Sequence, residues 1–412
     1  MFSYSNQDLY CEQVALADVA AQAGTPAYVY SSRSILDNYR AYDQAFGELP
    51  HQVCYAVKAN SSLAVLGLLA KAGAGFDIVS GGELFRVIEA GGDPAKVVFS
   101  GVGKTPSEVE FALERGIQSF HCESEAELAL IDAKAARRGV KAAFAVRVNP
   151  DVDAATHPYI STGLSQHKFG IAIAEAPAVY ERARSFPNLV ASGVSCHIGS
   201  QILDATPILE AVEKVLALAN TLRAQGHPIR HLDLGGGLGV AYRPGEQTPG
   251  IRSFVETVQG RLRETGLTVL VEPGRSIVGA AGMLLTRVLY RKKNGDREFV
   301  IVDAAMNDLI RPSLYRAHHE IIPVRRNSLP PIVADVVGPV CETGDFLARE
   351  RHMANVMPGD FLAVATAGAY GFVQSSNYNS RPRAPEILVE ADRFRVVRQR
   401  ESYQDLVRGE SL

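Results

Sequence analysis

The chain has 412 residues, room for two or three domains of ordinary size and a large buried core. Composition is 47% hydrophobic and 21% charged, and the net charge of −3 lacks the basic excess that nucleic acid or an anionic membrane demands. The opening MFSYSNQDLYCEQ has no signal-peptide pattern, no apolar run nears the roughly 18 residues of a membrane helix, and five scattered cysteines without CxxC spacing argue against disulfides or structural zinc. A cytoplasmic enzyme with no membrane or nucleic-acid partner is expected.

The first strand signal is AYVYS at 27–31. From residue 50 to 272, short apolar runs then alternate with helical patterns: VCYAV (53–57), FDIV (76–79), VVFS (97–100), SFHC (119–122), AAFAVRV (142–148), SGVSCHI (192–198), HLDLG (231–235) and TVLVE (268–272). Each is β-branched or aromatic in character and bounded by turn residues. Helix starts lie between them. Thr105-Pro106 with Glu108 and Ser124 with Glu127 read as capping boxes, and Thr206-Pro207 opens ILEAVEKVLALANTLRAQG. Eight strand–helix units in somewhat over 200 residues predict an α/β fold, a TIM (β/α)8 barrel. A doubly wound sheet is the rival. It suits the sequence less well, because the unusual residues follow many different strands, and a closed barrel brings those ends to one rim.

After residue 280 the period changes to two. MLLTRVLYRKK, FVIVDA, PIVADVVG, DFLAVATAG, EILVE and FRVVR, separated by turn clusters, predict an all-β barrel or sandwich domain. The expected division is a barrel over 33–275 and a β domain built from 1–32 and 276–412, with AYVYS joining the latter.

Lys58 in YAVKAN ends the first barrel strand, where a lysine can point into the barrel mouth and act as a nucleophile. Alone it would read as a solvated strand-end side chain. Gly235-Gly236-Gly237 follows the seventh strand, and Glu272-Pro273-Gly274-Arg275 ends the eighth. These are the two loops where TIM barrels usually bind phosphate, and consecutive glycines let backbone amides approach an anion. A lysine and a phosphate cradle on one rim is the arrangement pyridoxal phosphate requires. Glu272 beside a pyridine nitrogen would keep it protonated, which suits decarboxylation. His197 in CHIGSQ ends the sixth strand, where its ring could stack on a cofactor and Ser200 could bond its phosphate. Singly, His197 reads as a core histidine and Cys341 as a small buried hydrophobe.

YAVKAN, FDIVSGGE, ISTGLSQHKFGI, HIGSQI, LDLGGGLG, EPGR, RPSLY, GPVCETGD and GAYG, in order from residue 55 to 371, closely resemble the diaminopimelate decarboxylases. These lie in the alanine-racemase-like group of pyridoxal-phosphate enzymes with ornithine decarboxylase. The resemblance implies that Lys58 forms the aldimine with pyridoxal 5'-phosphate, His197 stacks on its ring and Glu272 meets the ring nitrogen. Ser200, Gly236, Gly237, Gly274, Arg275 and Tyr370 would hold the phosphate end. Arg275, Arg311, Tyr315, Glu342 and Tyr370 would bind substrate. Cys341 would be the acid near the carbanion, reaching in from the neighbouring subunit of a homodimer. The segment 157–171 would be a mobile element closing over substrate. The implied reaction takes meso-2,6-diaminopimelate to L-lysine and CO2, the last step of lysine biosynthesis. A cationic Arg311, a Tyr315 hydroxyl and an anionic Glu342 complement that substrate's distal zwitterion.

Rival readings are a decarboxylase of ornithine, a D-amino acid or carboxynorspermidine, and a non-catalytic pyridoxal-phosphate-binding protein. A racemase fits Glu272 poorly, since racemases of this group use a neutral pyridine. A metal-dependent barrel hydrolase lacks visible His/Asp clustering, so no metal is expected.

Overall fold

The computed structural model describes residues 1–152 and 168–412. They form two compact units, one of Asn38–Val240 with Gln247–Ser276, the other of Met1–Asp37, Ala241–Glu246 and Ile277–Leu412.

The first unit is built on eight parallel strands: His51–Ala56, Gly75–Ile78, Val97–Phe99, Ser119–Cys122, Ala142–Asn149, Leu189–Cys196, His231–Asp233 and Thr268–Val271. Each pairs with the next, and the eighth returns to the first, with Val269 opposite His51 and Val271 opposite Val53. That last pairing decides between the two sheet architectures: the sheet closes, and the fold is a TIM barrel. The strands are short and covered on both faces, as the buried Val97-Val98-Phe99 illustrates.

Local chemistry sets the helix starts. Thr105 Oγ1 accepts from the Glu108 amide at 3.4 Å while Glu108 Oε2 accepts from the Thr105 amide at 2.9 Å, a reciprocal capping box, and Gly116 closes the helix in the left-handed region at φ 67°. Ser124 caps in the same way, but the Glu127 carboxylate turns one residue further back, to the Glu123 amide, and also takes the buried Lys104 ammonium at 2.9 Å. The third helix opens at Thr206, where the sequence places it, and Asp204 Oδ1 accepts from both the Thr206 amide (3.0 Å) and its hydroxyl (2.8 Å). An aspartate reaching two residues on is the stronger local acceptor.

His231, on the seventh strand, is 6% exposed and packs over Gly193 so closely that a Cβ there would lie 2.1 Å from its Nε2. Burial, with His121 close by, pushes its pKa down to about 3. Unfolded, the ring titrates near 6.5, so below that pH the unfolded chain takes up a proton that the folded one refuses. Stability is therefore lost as pH falls from about 6.5 toward 3, at up to about 1.4 kcal/mol per pH unit. Urea denaturation at pH 7 and pH 5.5 is expected to show this loss, and His231→Asn to show less of it.

The second unit begins with a three-stranded antiparallel meander, Phe2–Ser5, Asp8–Cys11 and Val14–Ala15, that the sequence reading did not anticipate. A helix, Leu16–Ala23, follows. Ala27–Ser31 lies in the middle of the main sheet, antiparallel to Gly282–Asn294 and parallel to Glu386–Glu390. The 13-residue strand Gly282–Asn294 serves two sets of partners: its first half pairs with Ala27–Ser31 and Phe361–Val364, its second with Arg297–Val302. Leu9, Leu16, Val19, Val29, Leu285 and Ile387 pack into one apolar core beneath it. All five cysteines are free thiols.

Candidate active site

In the barrel unit, Lys58 occupies a short 3₁₀ turn, Val57–Ala59, directly after the first strand. Its ammonium donates to Asp77 Oδ2 on the second strand, a residue with no solvent exposure. The EPGR turn lies alongside, because the Pro273 carbonyl accepts from the Ala56 amide at 3.1 Å.

His197 follows the sixth strand. Its Nδ1 accepts from the Gly236 amide at 3.2 Å, which leaves the ring hydrogen on Nε2. Burial, reinforced by the positive Arg147 and Lys58, pushes its pKa down to about 3, so the imidazole is neutral at physiological pH. Ser200 Oγ accepts from Arg275 Nη2 at 3.1 Å, joining the loops after strands six and eight.

The glycine loop is stitched on both sides. The Gly235 amide donates to Asp233 at 2.8 Å, the Gly235 carbonyl accepts from the Glu272 amide at 2.8 Å, and the Gly237 carbonyl accepts from the Ile202 amide at 2.8 Å. A Cβ on Gly236 would lie 2.2 Å from the Glu272 carbonyl, and one on Gly237 2.5 Å from the Gly199 carbonyl. Close approach of backbone therefore requires these glycines. Among the described residues, the amides of Gly237, Leu238 and Gly274 have no protein acceptor. Gly236→Ala is expected to cost about 2–4 kcal/mol, because backbone rather than a flexible side chain must give way. A thermal melt measures it.

Glu272 is 6% exposed. Burial alone would raise its carboxyl, but the nearby His121 and the charge of Lys58 outweigh it and hold the pKa at about 2. The neighbouring Asp233 is driven well above the usual carboxylate range by burial and by Glu272, so one of the pair is ionised and the other protonated.

One expectation is corrected. The barrel does hold a His/Asp/Glu cluster: one ligand-type atom each from buried His121, Asp233 and Glu272 lies within 4.8 Å of the others. They come from strand four, strand seven and the turn after strand eight, so no sequence spacing could reveal it. Asp77, His121 and Asp233 were all missed as site residues. The available signal was a charged or polar residue inside an otherwise buried strand, as in FDIV, SFHC and HLDLG.

The second unit carries Arg311 and Tyr315 on a short helix, Arg311–Tyr315. Arg311 is 6% exposed. Its Nη1 donates to Tyr242 Oη at 2.7 Å and to His319 Nε2 at 3.2 Å, and its guanidinium lies 4.7 Å from the Tyr242 ring centroid. His319 Nδ1 meets the Ala365 carbonyl at 2.8 Å, which fixes the tautomer that accepts from Arg311. Tyr242 and His319 were not anticipated. Ser313 Oγ donates to the Gly344 carbonyl at 2.6 Å, tying this helix to GPVCETGD. In that loop Cys341 and Glu342 are exposed, which overturns the buried-hydrophobe reading of Cys341. The Glu342 carboxylate near the Tyr378 hydroxyl raises that hydroxyl's pKa, and Tyr315 Oη accepts from Gln374 at 3.4 Å. Tyr370 has a left-handed backbone at φ 55°. Most of segment 157–171 lies outside the described residues.

A family model described as the pyridoxal binding domain of pyridoxal-dependent decarboxylases matches residues 32–279. The chain is also 56% identical over 411 residues to a diaminopimelate decarboxylase of Pseudomonas aeruginosa, covering 100% of this chain and 99% of that relative. The chain belongs to the pyridoxal-dependent decarboxylases. A diaminopimelate decarboxylase of Helicobacter pylori, solved in complex with L-lysine, is 43% identical with a TM-score of 0.92, over 95% of this chain and 98% of that one. One from M. jannaschii, also in complex with L-lysine, is 35% identical with a TM-score of 0.95, over 100% and 98%. The cofactor of these decarboxylases fits the barrel's own chemistry. Amides without acceptors suit a phosphate, a neutral His197 suits a ring face, an ionised Glu272 suits a ring N–H, and Lys58 offers the amine.

Proposed function

We propose that this decarboxylase converts meso-2,6-diaminopimelate to L-lysine and CO2, the last step of lysine biosynthesis. Full-length identity of 56% to a diaminopimelate decarboxylase carries the reading. In it, residues 33–275 form the cofactor domain.

Lys58 would hold pyridoxal 5'-phosphate covalently through Nζ, with Asp77 as its counter-charge. The amides of Gly237 and Gly274, with Ser200, Arg275 and Tyr370, would take the phosphate. The Gly236 amide serves the site by orienting His197. The bound cofactor supplies an electron sink for the carbanion left when CO2 departs. Glu272, ionised, would keep a proton on the ring nitrogen, and His197, neutral, would offer a flat uncharged face to the ring. Arg311 would bind the distal carboxylate, held rigid by Tyr242 and His319, while Tyr315 and Glu342 would meet the distal ammonium. Arg275 and Tyr370 would also touch substrate. Cys341 would return a proton to the carbanion.

Two exposed side chains in GPVCETGD support a homodimer in which Cys341 and Glu342 complete the partner's site. Mixing a Lys58→Ala with a Cys341→Ala protein tests this, since shared sites regain activity in mixed dimers. A cytoplasmic location fits a chain in which no described helix is long and apolar enough to cross a membrane. The deciding experiment is a visible spectrum with pyridoxal phosphate, together with CO2 release from meso-diaminopimelate, ornithine and lysine. A visible band and preference for diaminopimelate are expected. Preference for ornithine or lysine would overturn the substrate, and a band with no CO2 from any of them would leave a binding protein.

A further inference from the structure

The axis of a TIM barrel is normally filled by branched apolar side chains. Here one level of it is polar. Ser100 (6% exposed) follows the third strand, His121 (0%) lies on the fourth and Asp233 (0%) on the seventh, all beneath Glu272. Ser100 Oγ is 3.3 Å from His121 Nδ1 and 3.3 Å from Glu272 Oε1, and His121 Nδ1 is itself 3.5 Å from Glu272 Oε1. On the far side of the ring, His121 Nε2 is 3.8 Å from Asp233 Oδ2.

Hydrogen counting orders this cluster. The Ser100 hydroxyl has one proton, and the carboxylate Oε1 can only accept, so the proton goes to Glu272. Ser100 must then accept from His121, which places a hydrogen on Nδ1. Nε2 is left facing Asp233, the carboxyl that carries its own proton. At 3.8 Å that separation is too long for a hydrogen bond, so the contact that orders the His121 ring is the one to Ser100. Asp233, Asp77, Lys58, His197 and the thiols of Cys54 and Cys196 are other charged or titratable groups around Glu272 among the described residues.

We propose that His121, acting through Ser100, is a positioning residue that orients the Glu272 carboxylate for the ring nitrogen of bound pyridoxal phosphate. The inference rests on the function proposed above. It adds a donor chain that the cofactor-facing residues do not include. A buried carboxylate deprived of its donors drifts toward the protonated form, which cannot stabilise a ring N–H.

The test uses full-length protein stripped of cofactor and titrated with pyridoxal phosphate, followed by absorbance and turnover. His121→Leu removes the donor at nearly constant volume, whereas His121→Asn keeps an N–H near the Nδ1 position. His121→Leu is expected to weaken cofactor binding and lower kcat by about 10- to 100-fold, the range for a hydrogen-bond chain ending on a charge. Its visible band should move, and KM should change less than about threefold. His121→Asn is expected to return both to within about threefold of the parent. A His121→Leu protein with parental affinity and spectrum, or a His121→Asn protein equally impaired, overturns the proposal. If His121→Leu yields no folded protein, Ser100→Ala decides: a loss of about three- to tenfold supports the chain, and no change refutes it. A parent protein that takes up no pyridoxal phosphate refutes the function itself. A parent that takes it up while the variants match it refutes only the role of His121.

Discussion

Lys58→Ala is expected to abolish the cofactor's visible band and to lower kcat by at least about 10³-fold, about 4 kcal/mol of barrier. The physical reason is twofold. Nζ is an amine placed at the end of the first barrel strand, beside the EPGR turn. Its charge also faces Asp77, which is wholly buried. Removing the ammonium leaves that carboxylate without its counter-ion, so some stability goes too; a buried ion-pair partner can be worth about 3–5 kcal/mol, less here because Lys58 is partly solvated. Lys58→Arg separates the two effects. It keeps the charge beside Asp77 and should melt near the parent temperature, yet it has no nucleophilic amine and should be inactive. Activity surviving in either variant would remove Lys58 from the chemistry.

Arg311→Ala is expected to discriminate between substrates. A buried guanidinium held by Tyr242 and His319 is pre-organised for a carboxylate, and truncating such a group costs about 2–5 kcal/mol, roughly 30-fold to several thousand-fold. The loss should appear as a higher KM for diaminopimelate and should leave a diamine with a single carboxylate, such as lysine or ornithine, nearly unaffected. Equal effects on both would take Arg311 away from the distal carboxylate. His319→Ala should reproduce part of the effect, since Arg311 then loses the acceptor that orients it.

The barrel was legible because its determinants are local. Eight apolar runs bounded by turn residues, and a capping box at Thr105, are properties of short windows, and each run lies within or at the end of an observed strand. The N-terminal meander was not legible: Phe2–Ser5 and Asp8–Cys11 are four residues each with polar interruptions, too short for a period to register.

The candidate cofactor residues could be placed by motif, since Lys58, the glycine loop and EPGR each sit at a strand end whose position in the barrel follows from counting strands. Sequence alone thus determined the alternation of strands and helices, the strand ends that carry the motifs and the class of chemistry, all of which depend on neighbours in the chain, whereas closure of the sheet rests on the pairing of Thr268–Val271 with His51–Ala56. Tertiary structure also decided the ionisation inside the barrel. Whether Glu272 is charged, Asp233 protonated and His197 neutral depends on burial and on partners far away in sequence, such as His121 for Glu272, and Coulomb and desolvation effects follow distance in space.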